Sequence, residues 1–160
     1  MTTLTEELKN KLPKLEFGKN VQIEIGCGYK LQKGFIGIDM RNCGQEIVWD
    51  VRKGIPLPDE SVDMIFSSHV MEHFTDDESK ELFIEMYRVL KKGGETFHIV
   101  PHQEDPNAYL TDHKTFWNER RVDTLTGCPG LEGFEIIKNL GTTEGNNIGM
   151  KQLLFTLRKK

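Results

Sequence analysis

Cysteine is scarce in this chain of 160 residues: Cys27, Cys43 and Cys128 are the only three. They are scattered, odd in number and without the spacing of a metal-binding set. That excludes a disulfide framework and points to free thiols in a reducing compartment. Long apolar runs are missing, and nothing approaches the roughly 20 residues of a membrane span. No signal-type apolar segment follows the N-terminus. The expectation is a cytoplasmic protein with no membrane contact. A basic excess is also missing, since 21 Lys and Arg stand against 25 Asp and Glu. The resulting charge of −4 argues against nucleic acid as a partner. Arg120-Arg121 and Arg158-Lys159-Lys160 are the only tight basic clusters, and their shortness reads as solvated surface. Repeats and low-complexity segments are absent. The length suits one domain with its own core, taken as residues 1–160.

What is present is a layout. Val21, Ile23 and Ile25 alternate into a first strand that stops at Gly26-Cys27-Gly28. Phe35, Ile36 and Ile38 make a second strand that stops at Asp39. Glycines without Cβ let a backbone approach a ligand. Asp39 is an acceptor-only group suited to ribose hydroxyls. Both lie where an open α/β sheet binds ligands, beyond the carboxyl ends of its strands. The spacing disfavours a dinucleotide. G-x-G-x-x-G lacks its third glycine here, and the acidic residue arrives earlier than about 20 residues on. A nucleoside without phosphates fits better.

The rest of the chain supplies further elements. Ile47-Val48-Trp49 reads as a short third strand and Val62–Phe66 as a fourth. Thr75–Lys92 reads as a helix. Thr75 and Glu78 form its capping box, Leu82, Phe83, Met86, Val89 and Leu90 its buried stripe, and Lys91-Lys92-Gly93 its C-cap. Thr96–Val100 is strand five. Phe134–Leu140 and Leu153–Leu157 form a terminal hairpin across a turn-rich Gly141–Gly149. Thr3–Leu12 reads as an amphipathic helix stopped by Pro13, within an N-terminal segment 1–16. Only about eight residues separate strands one and two, and about seven separate two and three. A parallel crossover normally takes a dozen or more. The fold class is therefore a Rossmann-like α/β domain. Its sheet is mostly parallel with an antiparallel C-terminal hairpin, and the helices of the first half are abbreviated.

These motifs together resemble the class I S-adenosylmethionine-dependent methyltransferases, in particular a small, type 11-like methyltransferase domain. Glu24-x-Gly26-Cys27-Gly28 looks like the family's first motif and Asp39 like its ribose-binding acid. Trp49-Asp50-Val51 with Ile55-Pro56-Leu57-Pro58-Asp59 is similar to its adenine-contacting segment. Ser61–Ser68 is similar to its fourth strand, His69-Val70-Met71-Glu72-His73 to the turn that follows, and Met86–Gly94 to the joint into strand five. The resemblance covers residues 20–101. It implies S-adenosyl-L-methionine as cofactor and methyl transfer as activity, with a small-molecule or sugar-like acceptor. Residues 102–132 would cover the acceptor, and 133–160 would form the hairpin.

Candidate residues follow from the resemblance and from side-chain chemistry. Gly26 and Gly28 would meet the methionine part of the cofactor. Glu24 would take amine or backbone donors. Asp39 would accept the ribose hydroxyls, Asp50 the adenine amino group, and Val51 would meet the ring. Cys27, Met40 and Ser67 complete the expected cofactor set. Each also has a plainer reading: Glu24 as a turn-capping carboxylate, Asp39 as a turn former, Asp50 as a strand-end residue. An oxygen acceptor needs a base, and histidine titrates in the right range. His69, His102 and His113 are the candidates, being at the ends of strands four and five and in the covering segment. His98, inside strand five, reads as structural, and His73 as a support for the helix start. His69-Val70-Met71-Glu72-His73 also matches H-x-x-E-H, a zinc signature of another enzyme class. That motif needs one helix and a third ligand, neither of which is evident, so no metal is expected. Tyr109, Phe116 and Trp117 would wall the acceptor pocket or pack as satellite core. The rival functions are a catalytically silent binding protein of the same fold and a zinc hydrolase through His69 and His73.

Overall fold

The computed structural model describes residues 20–144 and 150–160. The expected helix Thr3–Leu12 lies outside the described residues. The apolar runs become β1 (Gln22–Ile25), β2 (Ile36–Asp39), β3 (Ile47–Val48), β4 (Val62–Ser68), β5 (Leu90–Pro101), β6 (Phe134–Glu144) and β7 (Lys151–Lys159). They form one sheet in the order β3-β2-β1-β4-β5-β7-β6. The first five run parallel. β7 enters antiparallel between β5 and β6. This is the Rossmann-like α/β class, with the antiparallel C-terminal hairpin that the sequence leads one to expect.

The strand order reverses between β1 and β4. In open α/β sheets that reversal opens a crevice beyond the strand ends. Among the described residues, the links β1–β2 and β2–β3 contain turns and bends but no helix. The compression is stabilised locally. Gly26 N–H donates to Ile38 O across the two strands at 2.7 Å. Gln32 N–H donates to Glu24 Oε2 at 2.6 Å, which closes the loop over the strand end.

Two α-helices are described, α1 (Asp76–Val89) and α2 (Glu119–Leu125). The capping box of Thr75 and Glu78 starts α1 as expected. Its stripe of Leu82, Phe83, Met86 and Val89 is buried on the sheet. Each such side chain contributes roughly 1.5–3 kcal/mol of burial. The far end departs from expectation. α1 stops at Val89, and Lys91-Lys92-Gly93 already belong to β5. The last carbonyls are met from outside the helix, where Glu60 N–H donates to Arg88 O and Ser61 N–H to Val89 O. With those acceptors satisfied, a glycine cap is not required. Gly93, at φ 79°, instead lies in the excursion where the β4–β5 register shifts.

The two faces of the sheet differ. On the α1 face, Phe83, Trp117 and Phe155 pack as an aromatic cluster, with Trp117 and Phe155 stacked at 5.3 Å. Trp117 is fully buried, so it belongs to the core rather than to an acceptor pocket. On the other face Phe35, Phe66 and Phe97 form a row across β4 and β5. Phe35 and Phe97 remain half-buried there. The basic tail is also not simply solvated: Lys159 is buried, with its ammonium donating to Leu90 O at 2.8 Å. No described helix is long and apolar enough to cross a membrane.

Candidate active site

A crevice of about 470 Å³ opens at the switch point between the ends of β1, β2 and β4. Of the residues expected from sequence, Gly26, Asp39, Met40, Asp50, Val51 and His69 line it. Gly26 follows β1 directly at φ 67°, and a methyl group there would overlap Val70 Cγ2. Asp39 ends β2 and is almost completely buried. Its Oδ2 accepts from Gly28 N–H at 2.9 Å and its Oδ1 from Arg41 N–H at 2.8 Å. A carboxylate has about four lone-pair sites, so acceptor capacity remains on both oxygens. Asp50 faces Arg52, whose Nε lies 2.9 Å from Oδ1 and whose Nη2 lies 2.8 Å from Oδ2. The Arg52 guanidinium holds Asp50 below the usual carboxylate range.

The other expected cofactor residues stand back from the crevice. Glu24 is buried behind the turn and accepts from Gln32 N–H. Burial pushes its carboxyl up, partly offset by that hydrogen bond. Burial also pushes the Cys27 thiol up to about 11, helped by the nearby charges of Asp39 and Glu24. Cys27 is therefore a protonated, unreactive thiol at neutral pH. Gly28 serves Asp39 through its N–H. Ser67 points to the α1 face, where its hydroxyl meets His98 Nδ1 at 2.7 Å.

The histidines separate in the same way. His69 follows β4 in a left-handed conformation, φ 55°, and lies on the crevice wall. Its Nε2 sits 2.8 Å from the Gln152 side-chain nitrogen. Its Nδ1 faces Glu72 Oε1 at 3.3 Å. With the Gln152 amide donating, neutral His69 carries its proton on Nδ1. His102 is buried, with Nε2 against Glu119 at 3.1 Å and Nδ1 accepting from Glu104 N–H. Both its nitrogens are committed away from the crevice. His113 does not line the crevice but packs edge-on against His73, ring centres 4.8 Å apart. His73 does line it, as do Asp112 and Arg41. Sequence reasoning missed Gln152 and Asp112, because their parts depend on the hairpin and the covering segment folding back, and it missed Arg41, which lies just past Asp39 at the end of β2. His98 is structural as expected: burial alone lowers its pKa to about 3.

The methyltransferase-domain family model matches residues 31–98. No curated protein sequence matches the chain. Solved structures with the same fold include an S-adenosylmethionine-dependent methyltransferase from Mesorhizobium loti. It is 16% identical, with 97% of this chain and 98% of that one covered and a TM-score of 0.63. A second is a possible histamine N-methyltransferase from Thermotoga maritima, 19% identical, covering 96% and 88%, TM-score 0.62. A third is the Burkholderia thailandensis 1,6-didemethyltoxoflavin-N1-methyltransferase with bound 1,6-didemethyltoxoflavin and S-adenosylhomocysteine. It is 14% identical, covering 97% and 79%, TM-score 0.67. The family model spans less than half of the chain, and these neighbours, all under 25% identical, show the fold: an α/β domain of the methyltransferase type. The family match makes S-adenosylmethionine the cofactor to test against this crevice. The crevice fits such a group. Its volume is within the roughly 300–1,000 Å³ of small-molecule sites, and it combines apolar walls at Ile25, Ile38, Val51 and Phe74 with a buried carboxylate.

Proposed function

We propose that the methyltransferase domain transfers a methyl group from S-adenosylmethionine to a small organic acceptor. The observation that carries this reading is Asp39: a buried carboxylate at the end of β2, on the wall of a crevice at the sheet's switch point. The cofactor supplies a sulfonium-bound methyl carbon. The chain's own work is to hold the nucleoside, position the acceptor and exclude water. Asp39 would accept ribose hydroxyls on its remaining lone pairs. Val51, Phe74 and the Met40 segment would flank the adenine ring, with Asp50 beside them. The Gly26 turn, strapped to Ile38, would present backbone to the methionine part. Among the three histidine candidates, His69 alone faces the crevice, and it would serve an oxygen acceptor as base through Nε2 once the Gln152 amide yields. Small-molecule size follows from the crevice, and the neighbour with a bound small molecule supports it.

A second reading draws on Asp50, which is already paired on both oxygens by Arg52. A crevice with one acceptor so committed also suits a protein that binds the nucleoside without turnover. One experiment separates the two. Purified protein is added to a cell extract with S-adenosylmethionine labelled on the methyl group, and S-adenosylhomocysteine binding is measured by calorimetry in parallel. Labelled metabolite together with binding supports methyl transfer. Binding without label supports the silent reading, and loss of both removes the cofactor assignment.

A further inference from the structure

The least satisfied group among the described residues is the carboxylate of Glu72. It is 1% exposed, and neither of its oxygens has a hydrogen-bond partner. His69 Nδ1 approaches Oε1 at 3.3 Å without hydrogen-bond geometry. An ionised carboxylate out of water is costly unless a cation or donors meet it. Two imidazoles stand beside it. One ligand atom each from Glu72, His73 and His113 lie within 4.8 Å of one another.

We infer that Glu72, His73 and His113 form a binding site for one divalent first-row transition-metal ion at the edge of the crevice. The ring hydrogen bonds support this. His73 Nδ1 faces Asp112 O at 3.3 Å, and His113 Nδ1 faces Ala108 O at 3.1 Å. A carbonyl only accepts, so each Nδ1 carries the proton and each Nε2 keeps the lone pair a metal requires. Backbone bonds hold the parts together. Lys114 N–H and Thr115 N–H both donate to Glu72 O, at 2.7 and 3.2 Å, which ties the His113 strand of chain to the Glu72 turn. Thr115 Oγ1 adds a bond to Met71 O.

Two imidazoles and one carboxylate suit zinc, manganese, iron or cobalt better than magnesium or calcium. With metal–ligand bonds near 2.0–2.2 Å, neighbouring ligand atoms lie about 3–4 Å apart. The side chains therefore need only a small closure. Three protein ligands leave coordination positions open, and His73 places the ion beside the crevice. On the methyl-transfer reading above, an open position would take an oxygen of the acceptor and lower its pKa. His69, with Nδ1 toward Glu72 and Nε2 toward the crevice, is not a ligand of this site. The sequence motif H-x-x-E-H thus supplies only two ligands, and the fold brings the third from 40 residues further on.

The test uses tag-free protein stripped with chelator and titrated with zinc(II) by calorimetry and cobalt(II) by visible absorption. One ion per chain is expected, with a ligand-field spectrum containing nitrogen donors. Single substitutions His73→Ala and His113→Ala should each weaken binding by about a hundredfold or more. Both residues are partly exposed, so folding should survive. Cys43→Ser/Cys128→Ser should bind as wild type, which separates this site from the accessible thiols. No saturable binding by the wild type would overturn the inference, as would full binding by folded His73→Ala and His113→Ala proteins. S-adenosylhomocysteine affinity, measured on the same samples without metal, reports on the cofactor reading independently.

Discussion

Asp39 receives the Gly28 and Arg41 amides, which shape the loops after β1 and β2, and it also lines the crevice. Replacing it by alanine should cost roughly 1.5–3 kcal/mol of binding, since charge-assisted hydrogen bonds are lost. That is about tenfold to a hundredfold in S-adenosylhomocysteine affinity, measured by calorimetry on a mutant whose circular dichroism is native. An unchanged affinity would leave Asp39 as a turn former only. Gly26 makes a different demand. At φ 67° and packed against Val70, it has no room for a methyl group. Gly26→Ala should lower stability by about 1–3 kcal/mol through strain and overlap, read from denaturant midpoints. Gly28→Ala meets the same φ penalty without the overlap, because its nearest atom is the mobile Arg41 Nη2 at 3.9 Å. The smaller loss expected there separates backbone strain from packing.

At the scale of elements, the link between β3 and β4 is held by a side chain of α1, Arg88. Its guanidinium donates to Ile55 O and Leu57 O at 2.8 and 3.0 Å, and to Glu85 and Asp59. The Glu85 carboxylate beside it raises the Arg88 pKa further above its ordinary value. One side chain thereby docks the 55–59 loop onto the helix. Glu85 also accepts from Ile55 N–H, closing the same contact from the other side. Arg88→Ala should destabilise the fold by about 2–4 kcal/mol, because two loop carbonyls and two carboxylates lose a charged donor. Arg88→Lys should recover less than half, since an ammonium cannot reproduce the planar fork. Thermal unfolding of the two variants checks this; equal melting temperatures for wild type and Arg88→Lys would show that charge alone suffices. The helix start illustrates the reverse case, in which Thr75 and Glu78 do locally what the capping rule requires. The helix end does not, because Glu60 and Ser61 reach in from another loop.

For the whole molecule, acid should act through His98. It is completely buried between Ser67, Phe83 and Phe155, and burial lowers its pKa to about 3. In the unfolded chain its pKa is about 6.5. Between these values the unfolded state binds the extra proton, so stability is full above about pH 6.5 and falls as pH drops towards 3. The slope is about 1.4 kcal/mol per pH unit from this one group. Glu24, with its raised carboxyl, works in the opposite sense, and the lowered carboxyls of Asp50 and Glu85 add their losses only at lower pH. Comparing His98→Gln with wild type isolates the histidine: the variant's melting temperature should change markedly less between pH 6.5 and 5. Parallel curves would show that His98 does not govern the acid limb.

Sequence alone determined the parallel sheet, the first helix cap, the terminal hairpin and the position of Asp39. Each rests on local physics: alternation of apolar residues, a side chain that caps its own helix, a carboxylate at a strand end. Val21–Ile25 was legible because its apolar residues alternate, and Val62–Phe66 because it is a short apolar run of strand length. Side-chain direction was not legible in the same way. Ser67 and His69 are two residues apart, yet one faces α1 and the other the crevice, because His69 turns into a left-handed conformation as the strand ends. His102 looked like a pocket residue and Trp117 like either a pocket wall or satellite core; both are drawn into the interior, where Glu119 and the Phe155 ring meet them. Gln152 reaches His69 across 83 positions, and His113 reaches His73 across 40. Such contacts have no period and no local propensity. Only the closure of the hairpin against β5, and of the covering segment against the Glu72 turn, brings them together.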